Sequence, residues 1–397
     1  MASFSFFTTV GLVALTIYFA IVSQRQHDSD VMPDFQKLRE LYSRPPLEWP
    51  KANVDDPINH AELGALPNVL FPENNPFSIE KARLGQKLFN DGRLSRSGQI
   101  ACASCHDPDL GWSDGRKRSF GHNRALGLRN SPGLENIAFN ASFFWDGRAS
   151  TLEEQSLMPI TDPFEQAFSL DELEQRLSHS NDYPAEFSIA FGDDKITRER
   201  IAMALATFQR TLVSGKSAFD WFLHSHHEND KVRKRQLNRR LSDKALWGLH
   251  LFRTKARCIN CHNGSNFSDS KFHNIGLTYF RGELEDYGKY QHSGIESDKG
   301  KFKTPSLRGV FNTKPWMHNG QFFDMQGIIK IYNAGGVRTM DHDNKYLPEA
   351  SSLLKPLGLN DAEEDALVAF LKAITAPPVK PDFNSIKPTA IVANTTL

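Results

Sequence analysis

All four cysteines of this 397-residue chain fall inside two copies of one five-residue pattern, Cys102-Ala103-Ser104-Cys105-His106 and Cys258-Ile259-Asn260-Cys261-His262. This C-x-x-C-H spacing is the attachment signature of c-type haem: each thiol adds across a porphyrin vinyl group, and the adjacent histidine is delivered to the proximal face of the iron. A redox-active cysteine pair or a zinc site would use the same thiols, but neither needs a histidine directly after each pair. The pattern implies two covalent haems, held by Cys102 and Cys105 and by Cys258 and Cys261, with His106 and His262 on iron. No cysteine remains for a disulfide, so the fold must rest on its core, its haems and any bound metal.

The segments around the two motifs repeat. Lys81-Ala82-x-x-Gly85-x-x-Leu88-Phe89 precedes the first, and Lys244-Ala245-x-x-Gly248-x-x-Leu251-Phe252 precedes the second. Apolar residues recur there at helical spacing, and Ser78 and Ser242 are suited to cap the two helices. After the motifs, Ser131-Pro132-x-Leu134 leads to Trp145-Asp146-Gly147, while Thr304-Pro305-x-Leu307 leads to His318-Asn319-Gly320. A duplicated haem domain explains both correspondences. Helical patterning also appears at Leu170–Leu177, Arg198–Leu212 and Ala362–Ile374, and Val-Ile-Thr alternation over strand length is nearly absent. The predicted fold is all-α, with two tandem cytochrome c-like haem domains at 76–220 and 241–380. Ahead of them come an N-terminal hydrophobic segment at 1–23 and a proline-rich, extended lead segment at 24–75. A basic linker at 221–240 joins the domains, and a tail follows at 381–397.

Basic and acidic residues balance at 47 each, so composition favours neither nucleic-acid binding nor a strongly steered acidic partner. The basic run Lys231-Val232-Arg233-Lys234-Arg235, continuing to Arg239-Arg240, reads as a solvated linker helix, with a docking surface for a redox partner as the alternative. Phe4 to Val22 is apolar, longer than a usual signal-peptide core and without a basic n-region. At about 1.5 Å per residue it nearly spans a bilayer. An uncleaved membrane anchor is favoured over a cleaved signal, for which Ile21-Val22-Ser23 would be a poor site. Arg25 weakly favours a cytoplasmic body. Covalent haem attachment outside the cytoplasmic membrane outweighs it, and the expected location is the periplasm.

Together, the two haem motifs, Phe144-Trp145-Asp146-Gly147-Arg148 and Met317-His318-Asn319-Gly320-Gln321 resemble the bacterial di-haem cytochrome c peroxidase and MauG family, from about Pro76 to Pro378. The resemblance implies that the haem on His106 is the peroxide site and that the haem on His262 relays electrons. It matches His122 to the family's distal histidine on the first iron and Trp145 to the tryptophan between the haems. Glu165 and Gln155 match the acid and amide beside the peroxide pocket. A carboxylate in an apolar cavity can shuttle a proton between the peroxide oxygens. Asn130, Thr313 and Pro315 match the residues that bind a calcium ion between the domains, where an amide oxygen, carbonyls and waters are suitable hard ligands.

Where the family's peroxidases place a methionine as sixth ligand of the second haem, this chain has Tyr332, as MauG has a tyrosine. Phenolate is a hard anionic donor that stabilises Fe(III). Met325 and Met340 lie nearby and remain alternative ligands. His122 points the other way, because MauG has no histidine ligand on its peroxide haem. The expected function is a di-haem peroxidase that reduces hydrogen peroxide with electrons from a small cytochrome c or cupredoxin. The alternatives are MauG-like oxidation of tryptophans in a partner protein and a non-catalytic di-haem electron carrier. Whether the chain forms a homodimer is open at this level. A pyridine haemochrome assay is expected to give two c-type haems per chain, with the pigment staying on denatured protein in acidified organic solvent.

Overall fold

The computed structural model describes residues 32–279, 282–337, 348–381 and 383. The apolar stretch at 4–22 and Met340 lie outside these residues, and no described helix is long and apolar enough to cross a membrane. The architecture is helical. In chain order the helices are α1 (Phe35–Tyr42), α2 (Ile79–Phe89), α3 (Leu152–Thr161), α4 (Leu170–Ser178), α5 (Tyr183–Phe191) and α6 (Arg198–Arg210). They continue as α7 (Ala218–His224), α8 (Lys231–Asn238), α9 (Asp243–Arg253), α10 (Tyr290–Ser293), α11 (Met325–Asn333) and α12 (Asp361–Ala373). Among the described residues the sheet is one short antiparallel ladder, β1 (Phe272–His273) against β2 (Phe302–Lys303).

The duplication read from the sequence is physical. Ser78 Oγ accepts the Lys81 N–H at 3.1 Å to start α2, and Ser242 Oγ accepts the Ala245 N–H at 3.2 Å to start α9. Each of these helices crosses the last long helix of its own domain, α2 against α6 and α9 against α12. The crossing point is a glycine in both copies. A Cβ on Gly85 would lie 2.0 Å from the Ala204 carbonyl oxygen, and one on Gly248 would lie 2.0 Å from that of Ala366. One turn further on, Phe89 meets Phe208 at 5.2 Å between ring centroids, and Phe252 meets Phe370 at 5.3 Å. Two separate buried cores form around these aromatic pairs.

The chain ends cross over between the domains. The segment expected to be an extended lead contains α1, and its described part belongs to the core of the second domain, where Tyr42, Trp49 and Leu63 are buried. The buried guanidinium of Arg253 holds it there. It donates to Pro50 O at 2.8 Å, Tyr42 Oη at 3.0 Å and Glu62 Oε1 at 3.0 Å. In the other direction, the chain beyond α12 returns to the first domain. There Trp112 Nε1 donates to Val379 O at 2.9 Å, and Phe383 packs on Phe208 at 6.2 Å. The 221–240 stretch is the end of α7, a turn and α8.

The domain contact is nearly two-fold. The Asn130 N–H donates to His318 O at 2.7 Å, and the Lys303 N–H donates to Trp145 O at 2.8 Å. Asn130 and Lys303 each precede the Ser/Thr-Pro of their repeat, and Trp145 and His318 occupy matching places after it. The loops carrying Trp145 and His318 close in the same way, with Phe143 bridged to Ala149 and Trp316 bridged to Phe322. Each copy therefore offers the other the same donor and the same acceptor, as a self-complementary interface does. Two glycines permit the approach: a Cβ on Gly147 would lie 2.2 Å from the Phe272 ring, and one on Gly320 would lie 2.3 Å from Lys117 O.

Gly85→Ala or Gly248→Ala is expected to destabilise the holoprotein by about 2 kcal/mol or more, because the added methyl meets backbone that cannot swing aside. Gly215→Ala, where nothing lies within 4 Å of the added carbon, is expected to stay within about 0.5 kcal/mol. Thermal unfolding of the three variants checks this, and equal melting points would contradict it.

Candidate active site

Each haem motif forms one short turn, Cys102–Ser104 and Cys258–Asn260, that brings its histidine round beside the preceding helix. His106 Nδ1–H donates to Trp112 O at 2.7 Å, and His262 Nδ1–H donates to Phe267 O at 3.0 Å. Both accepting residues have left-handed backbones, with φ of +62° at Trp112 and +53° at Phe267. Such a conformation costs about 1 kcal/mol or more in an L-residue. The two bonds fix the tautomer and leave Nε2 as the free lone pair, as a metal-bound histidine requires. Burial holds both imidazoles below their ordinary pKa and therefore neutral. Burial likewise pushes the thiols of Cys102 and Cys258 up to about 12 and that of Cys105 to about 11. These are poor sites for a free thiolate and suit uncharged thioethers. In the second domain, Cys258, Cys261 and His262 open onto a largely apolar cavity of about 310 Å³. The residues present fit a covalently attached porphyrin.

On the first-domain side, the loop bearing His122 is pinned to the segment bearing Glu165. The His122 N–H donates to Glu165 O at 2.7 Å, and a Cβ on Gly121 would lie 2.0 Å from Phe164 O. His122 Nδ1 is buried with no partner, and so is Gln155 Oε1 on α3. The Glu165 carboxyl is pushed up to about 7, mainly by burial, with the Asp162 carboxylate adding to the rise and Arg148 opposing it. Its charge also raises the thiols of Cys102 and Cys105, so it lies near the first haem motif. Gln166, unremarked in the sequence, donates Nε2 to Cys102 Sγ at 3.8 Å and keeps a buried, unpaired Oε1.

Between the domains, Trp145 Nε1 donates to Asn130 O at 2.9 Å, and its ring meets His318 edge-on at 6.5 Å. His318 in turn stacks on Phe302 at 3.7 Å. Around this stack Arg129 donates to Asp286 through Nε at 2.7 Å and Nη2 at 2.8 Å, to Asp146 at 2.5 Å and to Gln291 at 2.8 Å. It joins the Trp145 loop to the second domain. Asn130 donates Nδ2 to Arg116 O at 2.8 Å, and Asn130, Thr313 and Pro315 all line the same cavity as Cys258, Cys261 and His262. Lys303 lines it as well; burial lowers its ammonium to about 8, and it donates to Ser142 O at 2.7 Å.

On the same cavity as His262, α11 presents Met325, Ile328, Ile329 and Tyr332 from one face. Burial raises the pKa of the Tyr332 phenol. Met325 lines the same cavity and is built into the core, while Met340 lies outside the described residues. The sequence reading missed His273, which also lines this cavity. Its Nε2 pairs with Asp269 at 2.8 Å, and Cys261 lies close by. As a haem attachment point, Cys261 is not available there as a metal thiolate.

A family profile described as di-haem cytochrome c peroxidase matches residues 79–228. The chain is 39% identical over 313 residues to the methylamine utilization protein MauG of Methylorubrum extorquens, covering 78% of this chain and 82% of that protein. It belongs to the di-haem cytochrome c peroxidase and MauG family. The cytochrome c551 peroxidase of Nitrosomonas europaea is 33% identical over 309 residues, covering 78% of this chain and 83% of its own length. A solved MauG-like protein associated with microbial copper homeostasis superposes with a TM-score of 0.66 at 28% identity, covering 82% of this chain and 96% of that one. The protein is therefore an oxidoreductase that uses peroxide, and its family carries two c-type haems.

Glu165 can accept a proton only as the carboxylate, so kcat/KM for peroxide is expected to rise with pH through about 7. Glu165→Gln is expected to lower turnover by about 10²–10⁴-fold and to remove that limb of the pH profile. A variant that keeps the wild-type profile would show that another group moves the proton.

Proposed function

We propose that the protein reduces hydrogen peroxide to two waters, taking two electrons from a small cytochrome c or cupredoxin and two protons from solvent. When bound, the haems supply the redox chemistry; the chain supplies orientation and proton handling. Glu165 takes the proton from one peroxide oxygen and returns it to the departing oxygen, and Gln155 turns its amide toward the same small molecule. The observation that carries this reading is the Glu165 carboxyl held at about 7 beside the first haem motif, where it exchanges protons readily near neutral pH. His122, whose Nδ1 is buried without a partner, would be the side chain available to the first iron, and Trp145 would carry electrons between the two sites. Asn130, Thr313 and Pro315 would hold a calcium ion, with an amide oxygen and carbonyls as its hard ligands. The body works in the periplasm.

Tyr332 favours a second reading, in which the oxidising equivalents pass to tryptophan side chains of a partner protein. The tyrosine lines the same cavity as His262, and one relative at 39% identity is named a methylamine utilization protein MauG.

Stopped-flow measurement with a reduced small cytochrome is expected to show two donors oxidised for each peroxide consumed. An inert holoprotein, in both its oxidised and half-reduced forms, would reject the peroxidase reading. Crosslinks or added oxygen on a co-expressed partner, found by mass spectrometry, would favour the second. Tyr332→Met is expected to change the EPR signal of the second haem alone; an unchanged spectrum would remove the tyrosine as ligand.

A further inference from the structure

The second haem domain carries a cationic face that neither haem site uses. From Glu228 to Arg240 the sequence holds six lysines and arginines against two carboxylates. In the structure this run is α8. Lys231, Arg233, Arg235, Arg239 and Arg240 are exposed, and among the described residues the only ion pair of these cations is Arg233 with Glu228, at 3.1 Å. Val232 stands among them, 54% exposed. A second exposed apolar tip, Leu47 at 93%, belongs to the strap turn whose Trp49 packs on His226, in the turn just before α8.

The strap also fixes where the apolar stretch of the sequence must lead. Arg39 of α1 donates to the C-terminal end of α8, at Asn238 O (3.1 Å) and Asn238 Oδ1 (2.7 Å), and to Leu241 O (3.0 Å). Even fully extended, the chain between Val22 and Phe35 reaches at most about 45 Å. In sequence, the apolar residues from Phe4 to Val22 thus join α1 through at most that length of chain. A redox partner is a poor occupant for this face, because no residue between Trp145 and Phe252 lines the second haem cavity. A donor seated on α8 would not face the second haem cavity.

We propose that α8 and the neighbouring strap turn form a contact surface for an anionic lipid bilayer, working together with the apolar stretch. Cations near a charged membrane are drawn to it, and exposed apolar tips among cations suit the headgroup boundary. Two weak signals on one face hold a body far better than either alone.

The test uses the full haem-loaded chain, verified by mass to include Phe4–Val22, in nanodiscs of phosphatidylcholine alone or with about a quarter phosphatidylglycerol. Amide exchange over residues 228–240 is expected to be at least about tenfold slower in the anionic discs. The difference should vanish in about 1 M salt. Replacing Lys231, Arg233, Lys234 and Arg235 together by glutamine should abolish it while leaving the haem spectrum and peroxide turnover unchanged. Equal exchange in the two lipids would overturn the proposal, as would protection that appears only when an acidic small cytochrome is added.

Discussion

Two backbone hydrogen bonds, Asn130 to His318 and Lys303 to Trp145, hold the two haem domains face to face. Each would be worth about 1 kcal/mol if it acted alone. Their importance lies in register. They sit at equivalent positions of the two repeats, so they can form together only when the domains meet about a shared near-two-fold axis. Everything between the haem sites follows from that register: the Trp145–His318 ring contact, the stacking of His318 on Phe302, and the Arg129 bridge to Asp286. The crossed chain ends reinforce it. With the N-terminal strap in the second core and the C-terminal return on the first, neither domain can swing away without baring buried aromatic surface.

The same arrangement separates the chemistry of the two halves. Copies of one ancestral shell share the proximal device, a histidine whose Nδ1–H is held by the carbonyl of a left-handed residue. They differ on the distal side. Under the proposed function the first would set Glu165, Gln155 and the His122 loop there, polar groups suited to proton transfer. The second places α11, whose face is apolar apart from the Tyr332 phenol. An acid near neutrality beside one haem motif and a buried phenol beside the other would suit different tasks, although the two attachment patterns match.

Much of this was legible in the residues. The haem motifs, the caps at Ser78 and Ser242, and the match of Trp145-Asp146-Gly147 to His318-Asn319-Gly320 are local patterns, and local patterns survive in a single sequence. What lay hidden depends on distance along the chain. Nothing near Pro50 or Glu62 announces that Arg253 will reach them, so the strap read as an extended lead segment. Gln166 and the His273–Asp269 pair are ordinary residues until folding sets them beside Cys102 and the second cavity. Glu165 in sequence is an unremarkable glutamate; only burial beside Asp162 raises its carboxyl into the working range.

Under the proposed function, electrons pass between the two haem sites by way of the Trp145–His318 contact. The most direct measurement mixes half-reduced holoprotein with one equivalent of peroxide and follows the absorption of each haem separately, in the wild type and in Trp145→Phe. The expected result is that both haems respond in one kinetic phase in the wild type, and that the second haem lags behind the first in the variant while peroxide is still consumed. A second haem that responds at the same rate with or without the indole, or that does not respond to peroxide at all, would contradict the account.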